Sequence, residues 1–283
     1  MASDTYTIRT MTRDEVGLAV DWAAAEGWNP GRHDAACYYA ADPHGFFVGL
    51  LDGQPIATIS AVRYGASFGF VGFYIVKPEC RGRGYGLRLW RAGMAYLAGR
   101  NVGLDGVVTQ QDAYRKSGFT LAYRNIRYQG VGGGAPRPDD AIVPLASLPW
   151  TAVAAYDRPF FPAERDSFLK AWISQPDSHA LGLLKDGRLA GYGVIRPCRT
   201  GWKIGPLYAD APDLAERLFL ALQSRSQPSE AVFLDVPETN RAAVALAGRH
   251  RMTVSFETAR MYTGPAPDLP LDRLFGVTSF EVG

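Results

Sequence analysis

Arg81 and Arg83 alternate with three glycines in the stretch YIVKPECRGRGYGLRLW, and this pattern suits an anion-binding site. The glycines, Gly82, Gly84 and Gly86, lie between a β-like run and a helix-like run. The first turn of a helix has backbone N–H groups without intrahelical partners and a partial positive charge. Glycines let phosphate oxygens approach those groups without a Cβ in the way. We interpret this glycine loop (Arg81–Gly86) as a pyrophosphate site; a tight strand-to-helix turn is the alternative.

Two familiar phosphate-binding loops fit these residues poorly. A P-loop ends in Gly-Lys-Ser/Thr, whereas Gly86 is followed by Leu87 and Arg88. The dinucleotide fingerprint needs G-x-G-x-x-G, and the glycine loop gives G-x-G-x-G. Asp105 does stand about twenty residues further on, where a ribose-binding acid belongs. An NAD(P)-binding enzyme is therefore a weak alternative.

The elements that must position these residues follow from hydrophobic periodicity and turn residues. In the first half the pattern predicts strands at 6–9, 46–51, 56–63, 68–76, 104–108 and from 121, and helices at 12–26, 87–98 and through 114. Thr12 and Glu15 form a capping-box pattern at the start of the first helix. Strands outnumber helices, and some must pair in parallel across the long helices. The predicted fold class is α/β, with a mixed sheet flanked by helices.

The two halves of the chain carry the same pattern. Glycine and proline concentrate in QGVGGGAPRPDD, residues 129–140, which is the best linker candidate. After a DG turn in each half, two segments of equal length look like a strand, a turn and a strand, with Tyr74 opposite Tyr208. We infer a duplicated α/β unit; chance similarity between β-rich segments is the alternative. The predicted domains are 1–130 and 141–283, joined by a linker at 131–140.

Composition limits the class of protein. The 283 residues are 47% hydrophobic and 20% charged, which is ample for a globular core. A formal net charge of +2 argues against a general nucleic-acid binder. Three distant cysteines and four histidines without ligand spacing predict neither disulfides nor a metal site. The start is polar, and no apolar run approaches the length of a membrane span. We expect a cytoplasmic protein without nucleic-acid or membrane partners.

The pattern R-x-x-G-x-G, following a strand and V-x-P at Val76–Gly86, resembles the signature of the GNAT superfamily of acyl-CoA-dependent N-acyltransferases. A second family feature, an aromatic residue before a basic turn and Gly-Phe, appears as YRKSGF, from Tyr114 to Phe119. The motifs stand in the family's order, separated by a helix and a strand. The resemblance covers the first half, and the second half echoes the fold. The chain thus resembles a tandem GNAT protein with two GNAT-like domains, each a mixed central sheet flanked by helices.

The resemblance implies roles for particular residues. Acetyl-CoA would be the co-substrate, and no metal would be needed. Tyr114 would lie near the sulfur and stabilise the departing thiolate by a hydrogen bond; packing in the core is the alternative for this ring. Full proton transfer from Tyr114 is not strongly driven, because a thiol titrates at about 8.5 and tyrosine at about 10. The pantetheine arm would pair with backbone groups of two strand residues, Ile75 and Val76. The pyrophosphate would be held by the amides of the glycine loop, which are those of Arg81, Gly82, Arg83, Gly84, Tyr85 and Gly86.

The proton acceptor is the least defined part of this site. An alkyl amine has a pKa of about 10.4, so fewer than roughly one molecule in a thousand is neutral at pH 7. Some group or water chain must take the proton before attack. Many GNAT enzymes carry an acid on the strand before the glycine loop, but SFGFVGFYIV has none. Glu26 and Asp34, which flank the loop at Trp28–Gly31, are the candidates; solvated surface acids are the alternative.

The second half departs from the family's pattern where a cofactor would bind. Opposite the glycine loop stands ADAPDLAERL, without glycine and with three acids, Asp210, Asp213 and Glu216. Ala247 stands opposite Tyr114, although Asn240 keeps the place of an asparagine found in many GNAT domains. We predict that this domain is degenerate, binds no CoA and forms a wall of the acceptor pocket.

Together these observations predict an N-acetyltransferase that moves an acetyl group from acetyl-CoA to a primary amine by direct attack. The acceptor would be a small molecule or a peptide. A non-catalytic acyl-CoA-binding or regulatory protein is the main alternative, and Tyr114 separates the two, because a pure binder would not need it. A homodimer is left open.

Overall fold

A computed structural model of the chain describes residues 5–134 and 138–283. The strands are β1 (Tyr6–Thr10), β2 (Phe46–Leu51), β3 (Gln54–Tyr64), β4 (Phe68–Val76), β5 (Asn101–Val107), β6 (Thr120–Val131), β7 (Ile142–Pro144), β8 (His179–Lys185), β9 (Arg188–Pro197), β10 (Trp202–Ala209), β11 (Ala231–Pro237), β12 (Thr253–Tyr262) and β13 (Leu274–Gly276). The helices are α1 (Val16–Ala25), α2 (Asp34–Ala41), α3 (Tyr85–Tyr96), α4 (Gln111–Lys116), α5 (Trp150–Asp157), α6 (Asp166–Ile173), α7 (Pro212–Gln223) and α8 (Arg241–Arg249). The predicted α/β class is confirmed.

These strands form one continuous sheet, in the order β1-β2-β3-β4-β5-β12-β6-β11-β10-β9-β8-β7, with β13 beside β10. The pairs β4–β5 and β10–β11 are parallel, and the others are antiparallel. Strand β12 of the second half is inserted between β5 and β6 of the first half. On its other edge β6 pairs with β11 of the second half. The two halves therefore share a single sheet and exchange strands at its centre.

Strands β4 and β5 pair only where they begin and then separate. Their parallel ladder ends at Val71 and Leu104. The duplicated pair, β10 and β11, separates in the same way after Ile204 and Leu234. In the second half, however, β13 pairs with β10 and fills the gap. The gap between β4 and β5 is the one that opens into a cavity.

Local sequence explains how α1 begins. The Glu15 carboxylate accepts a hydrogen bond from the backbone N–H of Thr12 (2.8 Å), and Thr12 Oγ1 accepts one from Glu15 N–H (3.4 Å). The two hydrogen bonds of the predicted capping box are therefore present, but the helix begins at Val16 and not at Thr12 as predicted. Helix α2 is not among the predicted elements; its first residue, Asp34, is the last of the stretch EGWNPGRHD, which predicts a loop. Within the predicted linker, Val131 ends β6 and Ala135–Arg137 lie outside the described residues, so the domain boundaries stay a prediction.

After β13 the chain passes between the two halves as a buried segment, Val277–Gly283, called the tail here. Ser60 Oγ donates to the Glu281 carbonyl oxygen (3.1 Å), and Tyr64 Oη donates to that of Val282 (2.8 Å). A Cβ on Gly72 would lie 2.1 Å from the Glu281 carbonyl oxygen. The glycine inside β4 therefore gives the tail room to pass.

The largest apolar cluster spans both halves: Val20 and Phe73 of the first pack in the same cluster as Phe168, Trp172 and Tyr208 of the second. Nonpolar burial of this kind supplies most of the free energy that holds two units together. Among helices in the described ranges, none is both long and apolar enough to cross a membrane.

Candidate active site

A cavity of about 560 Å³ opens where β4 and β5 separate. Its walls are β4 from Val71 to Val76, the end of β5 and the start of α4, and the glycine loop closes one end. Residues of the second half also line it: Phe256, Thr258, Phe280 and Glu281. Both halves therefore contribute to the same cavity.

The three glycines of the loop do two different things. Gly82 and Gly84 have φ angles of +75° and +82°, which favour glycine. A Cβ at either position would meet no described atom within 4 Å, so both face open space in front of α3. A Cβ on Gly86 would instead lie 2.7 Å from Tyr74 Oη and 2.8 Å from Val76 Cγ2. Gly86 thus allows α3 to pack on β4, and the other two shape the loop.

The side chains of the loop leave its backbone accessible. Arg81 turns away: Nε donates to the Val76 carbonyl (2.8 Å), and Nη2 pairs with Glu26 Oε1 (2.5 Å). The guanidinium of Arg83 lies 5.1 Å from the ring centre of Tyr85, whose ring is buried below the loop. The pyrophosphate of an acyl-CoA fits this place, which has open space, backbone N–H groups at a helix start and nearby arginines. The Val76 carbonyl already accepts the hydrogen bond from Arg81. A ligand that lay along β4 like an added strand would therefore pair through other backbone groups of residues 72–76.

Tyr114 lies on α4, beside the cavity and next to Trp90, with ring centres 5.9 Å apart. Gly106 makes room for it, because a Cβ there would be 2.3 Å from Tyr114 Cε2. Its hydroxyl makes no hydrogen bond within the described residues. Burial, and to a smaller extent neighbouring Tyr74, raises the pKa of Tyr114 to about 12. The hydroxyl is therefore a proton donor at every pH near neutrality.

A bulge in β4 faces the same cavity. The register between β3 and β4 shifts so that Phe73 and Tyr74 stand opposite one residue, Ile59. Phe73 has a φ of +46°, a sparsely populated conformation for a residue with a side chain, and Thr58 Oγ1 donates to its carbonyl oxygen (2.9 Å). Such outliers are often found at functional sites. The sequence contains a signal for this bulge, because Gly72 is a glycine inside a strand.

Of the two predicted proton acceptors, the structure brings Glu26 to the cavity. Glu26 follows the last residue of α1 and lines the cavity beside the glycine loop. There its carboxylate is paired with Arg81, and the side chain is about one-third exposed (34%). Glu26 thus connects the end of α1 to the loop.

Asp34 is not placed at the cavity, and this corrects the expectation that it takes the acceptor's proton. Its side chain is fully buried and accepts hydrogen bonds from Arg196 Nε (2.8 Å) and Nη2 (3.1 Å), Gly31 N–H (2.7 Å) and Tyr38 Oη (3.1 Å). Burial raises the pKa of Asp34, but the charge and hydrogen bonds of Arg196 outweigh it and lower that pKa below its usual value. Asp34 is a structural ion-pair partner that ties the first half to the second.

The aromatic end of the cavity is not among the features predicted from the sequence. Trp28, Phe256 and Phe280 line it, and the guanidinium of Arg127 lies against the two phenylalanine rings. This buried guanidinium pairs with Asp235 and donates to the Trp28 carbonyl (2.6 Å). It lies 5.6 Å from the ring centre of Phe256 and 5.0 Å from that of Phe280. No periodicity marks these aromatics as neighbours, since three separate segments carry them.

The same end is held in place by the second half. Lys203 Nζ donates to the Asn29 carbonyl (2.8 Å), and Asn29 in turn exchanges hydrogen bonds with Thr200. Burial lowers the pKa of Lys203, and the charge of Arg127 lowers it further. The loop after α1 is thus fixed from the second half.

Asp105 also lines the cavity, but it is fully engaged. Arg260 forms two hydrogen bonds with its carboxylate (2.9 and 2.6 Å), and Asn125 Nδ2 donates a third (2.7 Å). A carboxylate held in this way is unavailable to a ribose, which weighs against the NAD(P) alternative. In the described part of the chain, no group of three or more His, Cys, Asp or Glu side chains is arranged to hold a metal ion.

Family models match both halves of the chain. The "Acetyltransferase (GNAT) family" model matches residues 13–119, and the "Acetyltransferase (GNAT) domain" model matches residues 153–276. The chain therefore belongs to the GNAT superfamily and carries two GNAT domains in tandem. The recognition made from the glycine loop and YRKSGF is confirmed.

Known proteins agree with this assignment. Holothin acyltransferase of Pseudoalteromonas sp. (strain SANK 73390) is 28% identical over 99% of this chain and 95% of its own length. A Pyrococcus horikoshii protein assigned as an acetyltransferase has a TM-score of 0.83 at 22% identity, covering 100% of this chain and 98% of its own. A tandem GNAT protein from the clavulanic acid biosynthesis pathway has a TM-score of 0.64 at 15% identity, covering 93% and 100%. The two structures support the fold, and the acyltransferase class follows from the family.

Proposed function

We propose that this chain transfers an acetyl group from acetyl-CoA to the primary amine of a small molecule or a peptide. The observation that carries the proposal is the gap between β4 and β5, closed by the glycine loop at one end and flanked by Tyr114. The free edge of residues 72–76, the stretch that contains Ile75 and Val76, offers backbone groups other than the Val76 carbonyl to the amides of a pantetheine arm. The loop supplies backbone N–H groups to the pyrophosphate.

The bulge and Tyr114 support a transfer reaction in addition to binding. Backbone N–H groups at Phe73–Tyr74 are displaced from the regular ladder beside the cavity, where they are suited to a polarised thioester carbonyl. Tyr114, protonated and without a hydrogen-bond partner in the described residues, can donate to the departing sulfur. Direct attack by the amine then needs no covalent enzyme intermediate.

The aromatic end of the cavity is the proposed acceptor site. Trp28, Phe256 and Phe280 surround Arg127 there and offer flat apolar surfaces. Such surfaces suit an amine carried on a planar or apolar group. The similarity to a relative named holothin acyltransferase supports acyl transfer as the reaction.

We further propose that one CoA binds per chain, in the first half. In the second half β13 occupies the gap that would take the pantetheine arm. Asp210, at the place of the glycine loop, accepts hydrogen bonds from Tyr156 and Arg273, so the second half has a carboxylate where the first half has glycines. Titration that finds two CoA molecules per chain would refute this asymmetry.

Gly84→Asp is expected to weaken acetyl-CoA binding about 100-fold relative to Gly84→Asn. Asn and Asp have the same shape and both tolerate a positive φ, so the pair differs mainly in charge. A like charge about 4 Å from a phosphate costs a few kcal/mol in a partly buried site. Calorimetry with acetyl-CoA measures both affinities, and equal affinities for the two variants would contradict the phosphate assignment.

Tyr114→Phe is expected to lower kcat about 100-fold while the Kd for acetyl-CoA changes less than about threefold. The lost hydroxyl acts on the departing sulfur, whereas the ring keeps its packing against Trp90. Because the pKa of Tyr114 is about 12, its ionisation should add no step to the wild-type kcat profile between about pH 6 and 10. Full turnover by the variant would reduce Tyr114 to a packing residue.

A thiol-release assay with acetyl-CoA and a panel of amines tests the proposed function itself. Release of CoA that depends on an added amine supports the transferase. Tight acetyl-CoA binding without release for any amine would favour the alternative of an acyl-CoA-binding regulatory protein.

A further inference from the structure

Glu281 is a buried carboxylate of the tail that lines the cavity between the first half and the second. Its residue is only 5% exposed, and it lies next to Phe280 at the aromatic end. A carboxylate is rarely buried to this extent without a specific role or a direct ion pair. Within the described residues, no salt bridge to Glu281 is found.

The two oxygens of Glu281 differ. Oε2 accepts hydrogen bonds from Ser279 Oγ (2.7 Å) and Tyr38 Oη (3.1 Å). Oε1 has no hydrogen-bond partner among the described residues. Because Oε2 is fixed and the residue lines the cavity, Oε1 is the oxygen available to a ligand there.

The hydrogen-bond network around Oε2 accommodates both protonation states of Glu281. Tyr38 Oη lies 3.1 Å from Glu281 Oε2 and also 3.1 Å from Asp34 Oδ2, but it has one proton. Tyr38 can donate that proton to Glu281 when the Glu281 carboxylate is charged, and to Asp34 when Glu281 is protonated. Three buried cations belong to this end of the cavity. Arg196 and Arg127 form ion pairs with Asp34 and Asp235, and Lys203 donates to the Asn29 carbonyl. The carboxylate of Glu281 is thus held by hydrogen bonds, without an ion pair among the described residues.

We propose, resting on the transferase function above, that Glu281 of the second half takes the proton from the acceptor's ammonium group in the site of the first half. One proton of R–NH₃⁺ moves to Oε1. The neutral nitrogen then attacks the thioester carbon, and the C–N bond forms as the C–S bond breaks. The nitrogen's second proton goes to the departing sulfur beside Tyr114, and Glu281 releases its proton to solvent. The tail thereby makes the second half part of the chemistry.

Glu281→Gln tests the role, because glutamine keeps the shape and can still accept from Ser279 and Tyr38. With tryptamine, a strongly basic amine, kcat should fall at least about 100-fold. With aniline, which is already neutral at pH 7, the loss should be much smaller. Calorimetric affinity for acetyl-CoA should be unchanged. Glu257→Gln is the matched control, because it removes an acid that is 38% exposed and paired with Arg124 outside the cavity. It should behave as wild type.

Retention of kcat within about threefold on tryptamine, or an equal loss on both amines, would overturn the proposal, since an equal loss indicates a structural role. If Glu281→Gln does not fold, Glu281→Asp is the variant to test. The shorter side chain of aspartate retracts the carboxylate, so kcat should fall selectively on tryptamine. Wild-type turnover by Glu281→Asp would overturn the proposal. A wild-type protein that binds acetyl-CoA but acetylates no amine would refute the transferase function instead. A loss of kcat in Glu26→Gln, with none in Glu281→Gln, would assign the proton transfer to Glu26.

Discussion

Residues 1–134, expressed without the second half, are expected not to fold. In the whole chain β12 lies between β5 and β6, and β6 has β11 on its other edge. The isolated half would leave the inner edge of β5 and both edges of β6 without their partners. It would also lose the buried tail and the Arg196 partner of Asp34. Unpaired strand edges and an uncompensated buried charge are among the costliest defects a domain can carry.

Circular dichroism and thermal unfolding of the isolated half measure this outcome. The control is co-expression of 1–134 with 138–283 as two chains, which should restore a cooperative transition and acetyl-CoA binding, because every strand pair is then available. A cooperative transition and acetyl-CoA binding by residues 1–134 alone would show that the strand exchange is dispensable.

The sequence predicts most elements because their signals are local. Strand β4 has the predicted ends, and the two hydrogen bonds between Thr12 and Glu15 form just before α1. The exchange of β6 and β12 was not predictable in this way, because duplicated strands with similar alternation fit equally well in either half. Nothing local distinguishes the partner that β6 actually adopts.

The residues of the candidate site also differ in whether their signals are local or depend on distant segments. The glycine loop and Tyr114 are read from contiguous motifs, and the structure brings both to one cavity. Asp34 was misjudged because its burial depends on Arg196, which is 162 positions away in the sequence. Glu281 was missed because the tail has no periodicity, and its position is set by contacts with Ser60 and Tyr38. Pairings between distant charges decide which acids are structural and which are free.

The buried pair of Asp34 and Arg196 should be worth more to stability than any surface pair between the halves. Arg196→Met is expected to lower the free energy of unfolding by about 3–5 kcal/mol at pH 7, because it leaves a buried carboxylate without its counter-charge. Arg199→Met is the control: it removes the exposed pair with Asp21, whose side chains are 46% and 62% exposed. That change should cost less than about 1 kcal/mol.

The pH dependence separates loss of charge pairing from loss of packing. In the wild type the lowered pKa of Asp34 stabilises the fold above its ordinary pKa of about 3.9, and the contribution disappears as pH falls through the lower folded-state value. In Arg196→Met the carboxyl keeps its hydrogen bonds from Gly31 and Tyr38 but loses the charge that opposed burial most strongly. The pKa of Asp34 should therefore rise, so that the carboxyl takes up a proton as pH falls. The deficit against wild type, measured by denaturant unfolding, should therefore be smaller at pH 5 than at pH 7. Adding Asp34→Asn to Arg196→Met should recover part of the lost stability for the same reason. A deficit independent of pH, with no recovery in the double variant, would mean that Arg196 acts through its packing on Trp172 and not through its charge.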